Sequence, residues 1–303
     1  MIQRSLTEAI PPAKRYLALG NFDGMHRGHH RLMMRTVQEA KAEAAIASAL
    51  VFEPHPQEFL NPKGSFARLT PPEQRLQLFE DQGLMELILT TFDQTFSELA
   101  PEAFIEDVLL RRLHAACIYV GESYRFGHRG LGDIALLREA GASLGFTVRE
   151  IPLVSCAEEV VSSSAIRLHL RQGRLQEALT MLGHEFVLCG TIIPGQGLGR
   201  KLGFPTANLL IDPRCLLPMA GVYLCEVYRE QRRYSALTNI GLRPSVGGTS
   251  LSVEAHLIDF DGDLYGEKLC LSFIGYRREE QHFASLEALK DQIARDVAAI
   301  RDL

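Results

Sequence analysis

The chain has 303 residues, of which 46% are hydrophobic and 23% charged. That length holds one large or two ordinary domains with a real core, and the balance is that of a soluble globular protein rather than a disordered or fibrous one. A formal net charge of -5 supplies no broad basic face, so neither nucleic acid nor an anionic membrane is an expected partner.

The opening stretch MIQRSLTEAIPPAKR has no apolar segment of the kind a secretory signal needs, and no run is long and apolar enough to cross a bilayer. A cytoplasmic location is the expectation. Short apolar runs then alternate with helical spacing: YLALG (16–20), SALVFEP (48–54), MELILTTF (85–92), ACIYVG (116–121) and FTVREIPLV (146–154) read as strands. Leu32, Met33, Val37 and Ala40 recur at helical spacing, as does APEAFIEDVLLRRLH. Such alternation predicts a parallel sheet covered on both faces, with ligands at the carboxyl ends of its strands. Two helical stretches follow, SSAIRLHLRQG and RLQEALTMLG, and the character then changes.

From His184 to about Arg278 the chain is rich in strands and turn signals (PGQGLG, YREQRR, SVGGTS, DFDGDLYG), which predicts a barrel or a sandwich. SVEAHLIDF, its Asp-Gly turn and EKLCLSFIGY read as one hairpin. The last segment puts Leu286, Leu289, Ile293, Val297 and Ile300 on one helical face, with Ser285 able to cap it. A domain boundary is expected near 183–186. The six cysteines (117, 156, 189, 215, 225, 270) include no C-x-x-C pair and are expected to be free thiols, several of them buried.

Within LALGNFDGMHRGHHRLM (17–33), three histidines follow a glycine-punctuated turn. A metal site would use the i, i+3 and i+4 spacing of His26, His29 and His30, yet no H-E-x-x-H pattern is present and Asp23 is the only acidic residue near. A phosphate site fits better. The strand ends at Gly20, the chain turns through Gly24, and a helix starts near Gly28 with unpaired amide donors and a positive dipole end. His26 and His29 could add hydrogen bonds to phosphoryl oxygens, and His30 is expected to face solvent.

GNFDGMHRGH resembles the nucleotidyltransferases that carry an H-x-G-H signature. With FEPHPQEFL (52–60), YVGESYRFGHRGLGD (119–133) and VSSSAIR (161–167), the chain is similar over nearly its whole length to the bacterial bifunctional riboflavin kinase/FMN adenylyltransferases. The resemblance implies a Rossmann-like nucleotidyltransferase domain at 1–183 and a small β-barrel riboflavin kinase domain with a C-terminal helix at 184–303. It also implies ATP or phosphate contacts at Gly20, Phe22, Asp23, Gly24, Gly28, Ser163, Ser164 and Arg167, catalytic roles for His26 and His29, and flavin contacts at Ser123 and Phe126. Phe126 could equally be core. In the implied chemistry the phosphate of FMN attacks the α-phosphorus of ATP, giving FAD and pyrophosphate. A phosphate monoester, with a second pKa of about 6, is already anionic and needs no dedicated base.

GQGLGRKLGFPTANL (195–209) pairs a glycine-rich turn with two cations but lacks the usual G-x-x-x-x-G-K-[ST] order. A threonine hydroxyl and an asparagine carbonyl are hard oxygen ligands suited to Mg2+. GFPTAN, NIGLRPS (239–245) and SVEAHLIDFDGDLYGE (252–267) resemble riboflavin kinases. By that resemblance Gly197, Gly199, Arg200, Lys201, Gly203, Pro205, Asn208 and Arg278 hold ATP or flavin, Thr206 and Asn208 hold the metal, and Glu254 is the general base. A neutral ribityl hydroxyl must lose a proton as it attacks the γ-phosphate, which gives a carboxylate its task.

Some positions depart from the family pattern: Ser164 for Thr, Ser123 and Tyr124 for an acid or amide and Phe, Ser245-Val246 for Thr-Phe, and Arg277 for an aliphatic residue. Two rivals remain at this level. One is an H-x-G-H transferase for another acceptor such as phosphopantetheine or nicotinamide mononucleotide, which gives GFPTAN and Glu254 no task. The other is a flavin-binding module without turnover. The expected small molecules are ATP, riboflavin and FMN, with FAD as product and Mg2+ accompanying ATP. A monomer is compatible with the sequence, which does not fix the oligomeric state.

Overall fold

The computed structural model describes residues 1–61, 66–245 and 248–301. Its contacts form two units, one of Met1–Phe66 with Pro72–Ser162, the other of Ala67–Pro71 with Ser163–Leu303.

The first unit holds six parallel strands, β1 (Ile2–Ser5), β2 (Arg15–Leu19), β3 (Ile46–Glu53), β4 (Glu86–Thr91), β5 (Ala115–Gly121) and β6 (Thr147–Ile151), in the order β1-β4-β3-β2-β5-β6. Helix α1 (Arg27–Ala42) connects β2 to β3. Helices α2 (Pro56–Leu60) and α3 (Pro72–Asp81) lead to β4. Two short turns, α4 (Gln94–Ser97) and α5 (Pro101–Ala103), precede a π-helix at Phe104–Arg112, and α6 (Ile134–Leu144) precedes β6. The five expected strands are therefore β2 to β6. β1, whose IQRS carries no apolar alternation, is an additional edge strand on β4.

Successive strand residues point to opposite faces. Leu17, Leu19, Leu50, Ile88, Ile118 and Val120 pack on one face with the π-helix and α6. Ala18, Ala47, Ala49, Val51, Leu87 and Tyr119 pack on the other with Leu32, Met33 and Ala40 of α1 and Phe79 of α3. The strand order reverses between β2 and β5, and the loops after these two strands therefore flank the crevice where ligands of such sheets bind. At the opposite, amino-terminal end, Glu86 receives Arg15 Nε at 2.8 Å, Arg4 Nε at 2.7 Å and Ser48 Oγ at 3.2 Å. Arg15 and Glu86 are buried.

A small hairpin, β7 (Ser155–Cys156) with β8 (Glu159–Val160), ends the first unit. The second unit carries α7 (Ser163–Arg171), α8 (Leu175–Leu182) and a closed six-stranded antiparallel barrel. Its strands are β9 (Phe186–Ile193), β10 (Ala207–Ile211), β11 (Gly221–Arg229), β12 (Arg232–Ser245), β13 (Gly248–Leu257) and β14 (Lys268–Arg278), in the order β10-β13-β12-β11-β14-β9. The five-residue helix α9 (Leu198–Leu202) lies between β9 and β10. The structure thus selects a barrel over a sandwich.

Two expectations about the barrel are corrected. β13 and β14 are not a hairpin: β13 pairs with β10 and β12, β14 with β9 and β11, and the Asp-Gly stretch joins strands on different parts of the ring. The tight hairpin is β11–β12, where Glu230 and Gln231 both take positive φ, the geometry that matches strand twist. Nor are all six cysteines free. Cys189 and Cys270, register partners on β9 and β14, form a disulfide, while Cys117, Cys156, Cys215 and Cys225 are free.

Helix α10 (Leu286–Arg301) closes the chain. Ser285 Oγ accepts from Ala288 N at 3.1 Å, as its capping role requires. Val297, Ile300 and Ile293 pack with Val222, Leu237 and Ile258 of the barrel unit, whereas Leu286 at the helix start is 59% exposed. The buried stripe is therefore confined to the second half of the expected face. Val246, one of the departures noted above, lies outside the described residues.

Candidate active sites

In the first unit β2 delivers the chain to Gly20, and the turn that follows is built by left-handed backbone. Phe22, Gly24 and Met25 have φ of 50°, 85° and 35°. Gly24 is the position where such a φ carries no Cβ cost. Phe22 is drawn into the core, 1% exposed, with its ring edge-on to Phe79 and to His29 at centroid distances of 5.9 and 5.2 Å. Gly20 lies against that ring, and Asp23 is buried beside it in sequence.

His26 is the N-cap of α1. Its Nδ1 accepts from His29 N at 3.3 Å, a role usually taken by Ser, Thr, Asp or Asn. The same contact sets His29 one turn on, with its ring stacked on His26 at 3.6 Å and 19° from parallel. Gly28 sits under the His26 ring, where a Cβ would come within 3.1 Å of it. Burial pushes the His29 imidazole well below its ordinary range, and neighbouring His26 acts in the same direction. Nδ1 of His29 is buried without a hydrogen-bond partner. His30 is exposed and meets Gln82. The loop thus presents two stacked imidazoles at the amino end of a four-turn helix, an arrangement suited to an anion.

After β5, Ser123 is exposed and Phe126 is 7% exposed in the core, its ring 5.5 Å from Phe104 and 5.9 Å from Tyr124. Burial pushes the Tyr124 phenol up. Ser163, Ser164 and Arg167 lie on α7 and group by contacts with the second unit. There Arg167 Nε donates to the Ala67 carbonyl at 2.7 Å.

The barrel gathers a second set of residues. Glu254 on β13 stands between Asn208 on β10 and Asn239 on β12 as register partner of both. Its chain neighbours Val253 and Ala255 are buried on the opposite face, at 2% and 0% exposure. Thr206 Oγ1 donates to Glu254 Oε2 at 3.3 Å, and Asn208 is buried. Gly197 and Gly203 cap α9 at both ends in the left-handed conformation. At Gly199 a Cβ would fall 2.4 Å from the Phe204 carbonyl oxygen and 3.1 Å from Thr206 Oγ1, so only glycine lets this loop close onto Thr206. The Pro205 carbonyl meets His256 Nδ1 at 2.8 Å. Arg200 and Lys201 are exposed and form no ion pair among the described residues.

Arg278 is engaged elsewhere: its guanidinium forks onto Asp296 of α10, with Nε at 3.0 Å and Nη2 at 2.7 Å, and its Nη1 donates to the Glu279 carbonyl. The structure thus brings Thr206, Asn208 and Glu254 together and seats Arg278 on the helix. Sequence reasoning missed Asn239 and Glu280, whose side chains meet at 3.2 Å. Asn239 was visible within NIGLRPS, but its link to Glu254 depends on strand register. Thr206, Asn208 and Glu254 offer neutral and anionic oxygen donors, which fit a Mg2+ ion that keeps water and phosphate ligands. No cluster of three His, Cys, Asp or Glu able to cage a metal occurs among the described residues.

Comparison with known proteins covers both units. An FAD synthetase family model matches residues 10–165 and a riboflavin kinase family model matches residues 182–303. A bifunctional riboflavin kinase/FMN adenylyltransferase of Escherichia coli K12 is 36% identical over 287 residues, covering 94% of this chain and 91% of that protein. The protein of the same name from Pseudomonas fluorescens is 37% identical over 286 residues, with the same coverages. A solved structure described as a macrolide-efflux protein from Streptococcus pneumoniae superposes with a TM-score of 0.91 at 26% identity, each chain covered in full. No helix among the described residues here is long and apolar enough to cross a membrane. With both family models matched in order and this identity over nearly the full length, the chain belongs to the bifunctional riboflavin kinase/FMN adenylyltransferase family.

Proposed function

We propose that this chain phosphorylates riboflavin with ATP to FMN and adenylylates FMN with a second ATP to FAD, the first reaction at the Glu254 face of the barrel and the second at the His26–His29 loop. The observation that carries the kinase assignment is the meeting of Thr206 and Glu254 across β10 and β13, next to Asn208. Glu254 takes the proton of the ribityl hydroxyl as that oxygen attacks the γ-phosphorus of ATP, and ADP leaves. Thr206 and Asn208 hold Mg2+ accompanying ATP, and the ion, when bound, neutralises phosphate charge. Arg200 and Lys201 supply cations for the nucleotide. Gly197, Gly199, Gly203 and Pro205 shape the loop that carries them, and Arg278 fixes the barrel's last strand to α10.

In the second reaction a phosphate oxygen of FMN forms the new bond to the α-phosphorus of ATP, and the bond to the β-phosphate oxygen breaks with release of pyrophosphate. The attacking oxygen is already anionic, so alignment and charge stabilisation are the whole task. His26, His29 and the amides at the start of α1 donate to the phosphoryl oxygens. Gly20, Phe22, Asp23, Gly24 and Gly28 set that loop's path. Ser163, Ser164 and Arg167 are carried over as phosphate contacts from VSSSAIR. Ser123 lies at the flavin side, with Phe126 supporting it from the core.

The functional modules are 1–183 and 184–303, a division supported by the two family matches. The enzyme acts in the cytoplasm on small molecules, without nucleic acid or membrane. Incubating the full chain with riboflavin, ATP and Mg2+ and separating products over time should show FMN first and FAD later. Absence of both products would refute the assignment. FMN without FAD would remove the adenylyltransferase reading alone.

A further inference from the structure

Asn239 and Glu280 form a second polar pair beside Glu254 to which nothing above assigns a role. Asn239 is the β12 register partner of Glu254, so the two side chains stand next to each other on the same face of the sheet. Asn239 Nδ2 donates to Glu280 Oε1 at 3.2 Å. Two residues along β12, Gly241 makes room for that carboxylate: a Cβ there would lie 2.1 Å from Glu280 Oε1 and 2.8 Å from Asn239 Nδ2. Glu280 is also held from behind, because the fork of Arg278 onto Asp296 pins the chain two residues before it. Asparagine, glycine and glutamate are thus matched to one geometry, although Glu280 lies 41 residues from Asn239 in sequence.

We infer that Asn239 and Glu280 hold the polyol chain of the phosphoryl acceptor beside Glu254, and so determine the kinase's specificity for a flavin bearing hydroxyls. A row of amide and carboxylate oxygens is an acceptor surface, and vicinal hydroxyls are the donors that match it. The triphosphate does not suit this side, since Glu254 and Glu280 repel it, and the free cations sit instead on α9 ahead of Thr206. A site built to bond hydroxyls discriminates strongly against an analogue lacking them, because its own polar groups are then left unpaired. No group of three acidic or imidazole ligands surrounds the pair among the described residues, which favours hydroxyl recognition over a second metal.

The inference rests on the kinase reading, and the two fail separately. In the full chain, Asn239→Ala and Glu280→Ala should each raise KM for riboflavin about tenfold or more, with KM for ATP and the rate of FMN adenylylation unchanged. Glu280→Gln, which keeps one acceptor oxygen, should recover part of that loss. Gly241→Ala, which displaces Glu280 without altering any charge, should reproduce it. Lumiflavin, the same ring with a methyl in place of the polyol, should inhibit wild type and all variants equally. Unchanged KM for riboflavin in both alanine variants would overturn the inference, as would a parallel weakening of lumiflavin. If Glu254→Gln phosphorylates riboflavin at the wild-type rate, the kinase reading itself is lost, whatever Asn239 and Glu280 do.

Discussion

His26 and His29 lie face to face at the start of α1, and the second is held in place by a backbone bond to the ring of the first. Two stacked imidazoles cannot both carry charge cheaply, and burial already keeps His29 neutral well below the ordinary histidine value of 6.5. The ring then stays neutral and keeps a single N–H to donate.

The sign of the pH effect follows. Below 6.5 the unfolded chain protonates this histidine while the folded chain does not, so folding stability rises with pH up to about 6.5 and declines as pH falls toward the folded-state value. Proton NMR of the His29 ring should show titration clearly below the ordinary range. His29→Ala should cut FMN adenylylation by about 10²–10³-fold and leave riboflavin phosphorylation intact. A His29 ring titrating at 6.5 or above would contradict the packing described.

Glu254→Gln keeps the shape of the side chain and its bond to Thr206 but removes the base. Riboflavin phosphorylation should fall by about 10²–10⁴-fold, with supplied FMN still converted to FAD. Thr206→Val should raise the Mg2+ concentration needed for half-maximal kinase rate and leave the adenylyltransferase rate alone.

Glu86 is set for a stability test far from either site. Burial raises its carboxyl, but the hydrogen bonds from Arg15 and Arg4 outweigh burial and leave it below the ordinary 4.5. Its contribution is therefore present above about 4.5 and disappears as pH falls through the folded-state value. Glu86→Gln should cost about 3–5 kcal/mol at neutral pH, because buried Arg15 loses its counter-charge. Urea titrations of the two proteins should converge in acid.

Arg278 and Asp296 join β14 to α10 through a two-point fork of largely buried groups. Asp296→Ala should destabilise the barrel unit by about 1–3 kcal/mol, and a double-mutant cycle with Arg278→Ala should show the two losses are not additive. Kinase activity at low temperature should survive in Asp296→Ala with a raised KM for riboflavin, since Glu280 follows directly on this anchor.

Strands β2 to β5, helix α1 and the Phe104–Arg112 helix were legible because they bury an apolar run or a helical stripe, whereas α2, α3 and α6 were not read from the sequence. β1 was not, since IQRS carries no apolar alternation and gains its place from pairing with β4 and the Arg4–Glu86 bond. The same limit explains the misread hairpin: sequence adjacency and an Asp-Gly turn favour pairing, but register with β12 and β10 on one side and β9 and β11 on the other wins. At the first site the order of glycines and histidines marked a turn into a helix start, while the use of His26 as a helix cap was invisible. At the second, the motif residues Thr206, Asn208 and Glu254 lie side by side, while the place of Glu280 next to them was not legible, because its relation to Glu254 passes through Asn239 on another strand. Arg278, expected as a ligand contact, also bonds Asp296 of α10, a pairing the sequence did not show.

Segment Ala67–Pro71 enters the second unit ahead of the chain's final passage at Ser163. Arg68 pairs there with the stretch before β11, its N donating to the Arg214 carbonyl at 2.7 Å and its carbonyl accepting from Leu216 N at 2.8 Å. No single cleavage point therefore divides the polypeptide into its two compact units. A fragment ending at 162 would keep five residues whose bonding partners it had lost, and a fragment starting at 163 would leave the 214–216 backbone groups unsatisfied. Truncation there strands this segment in the half that does not use it, so point substitutions are the cleaner way to silence one reaction at a time.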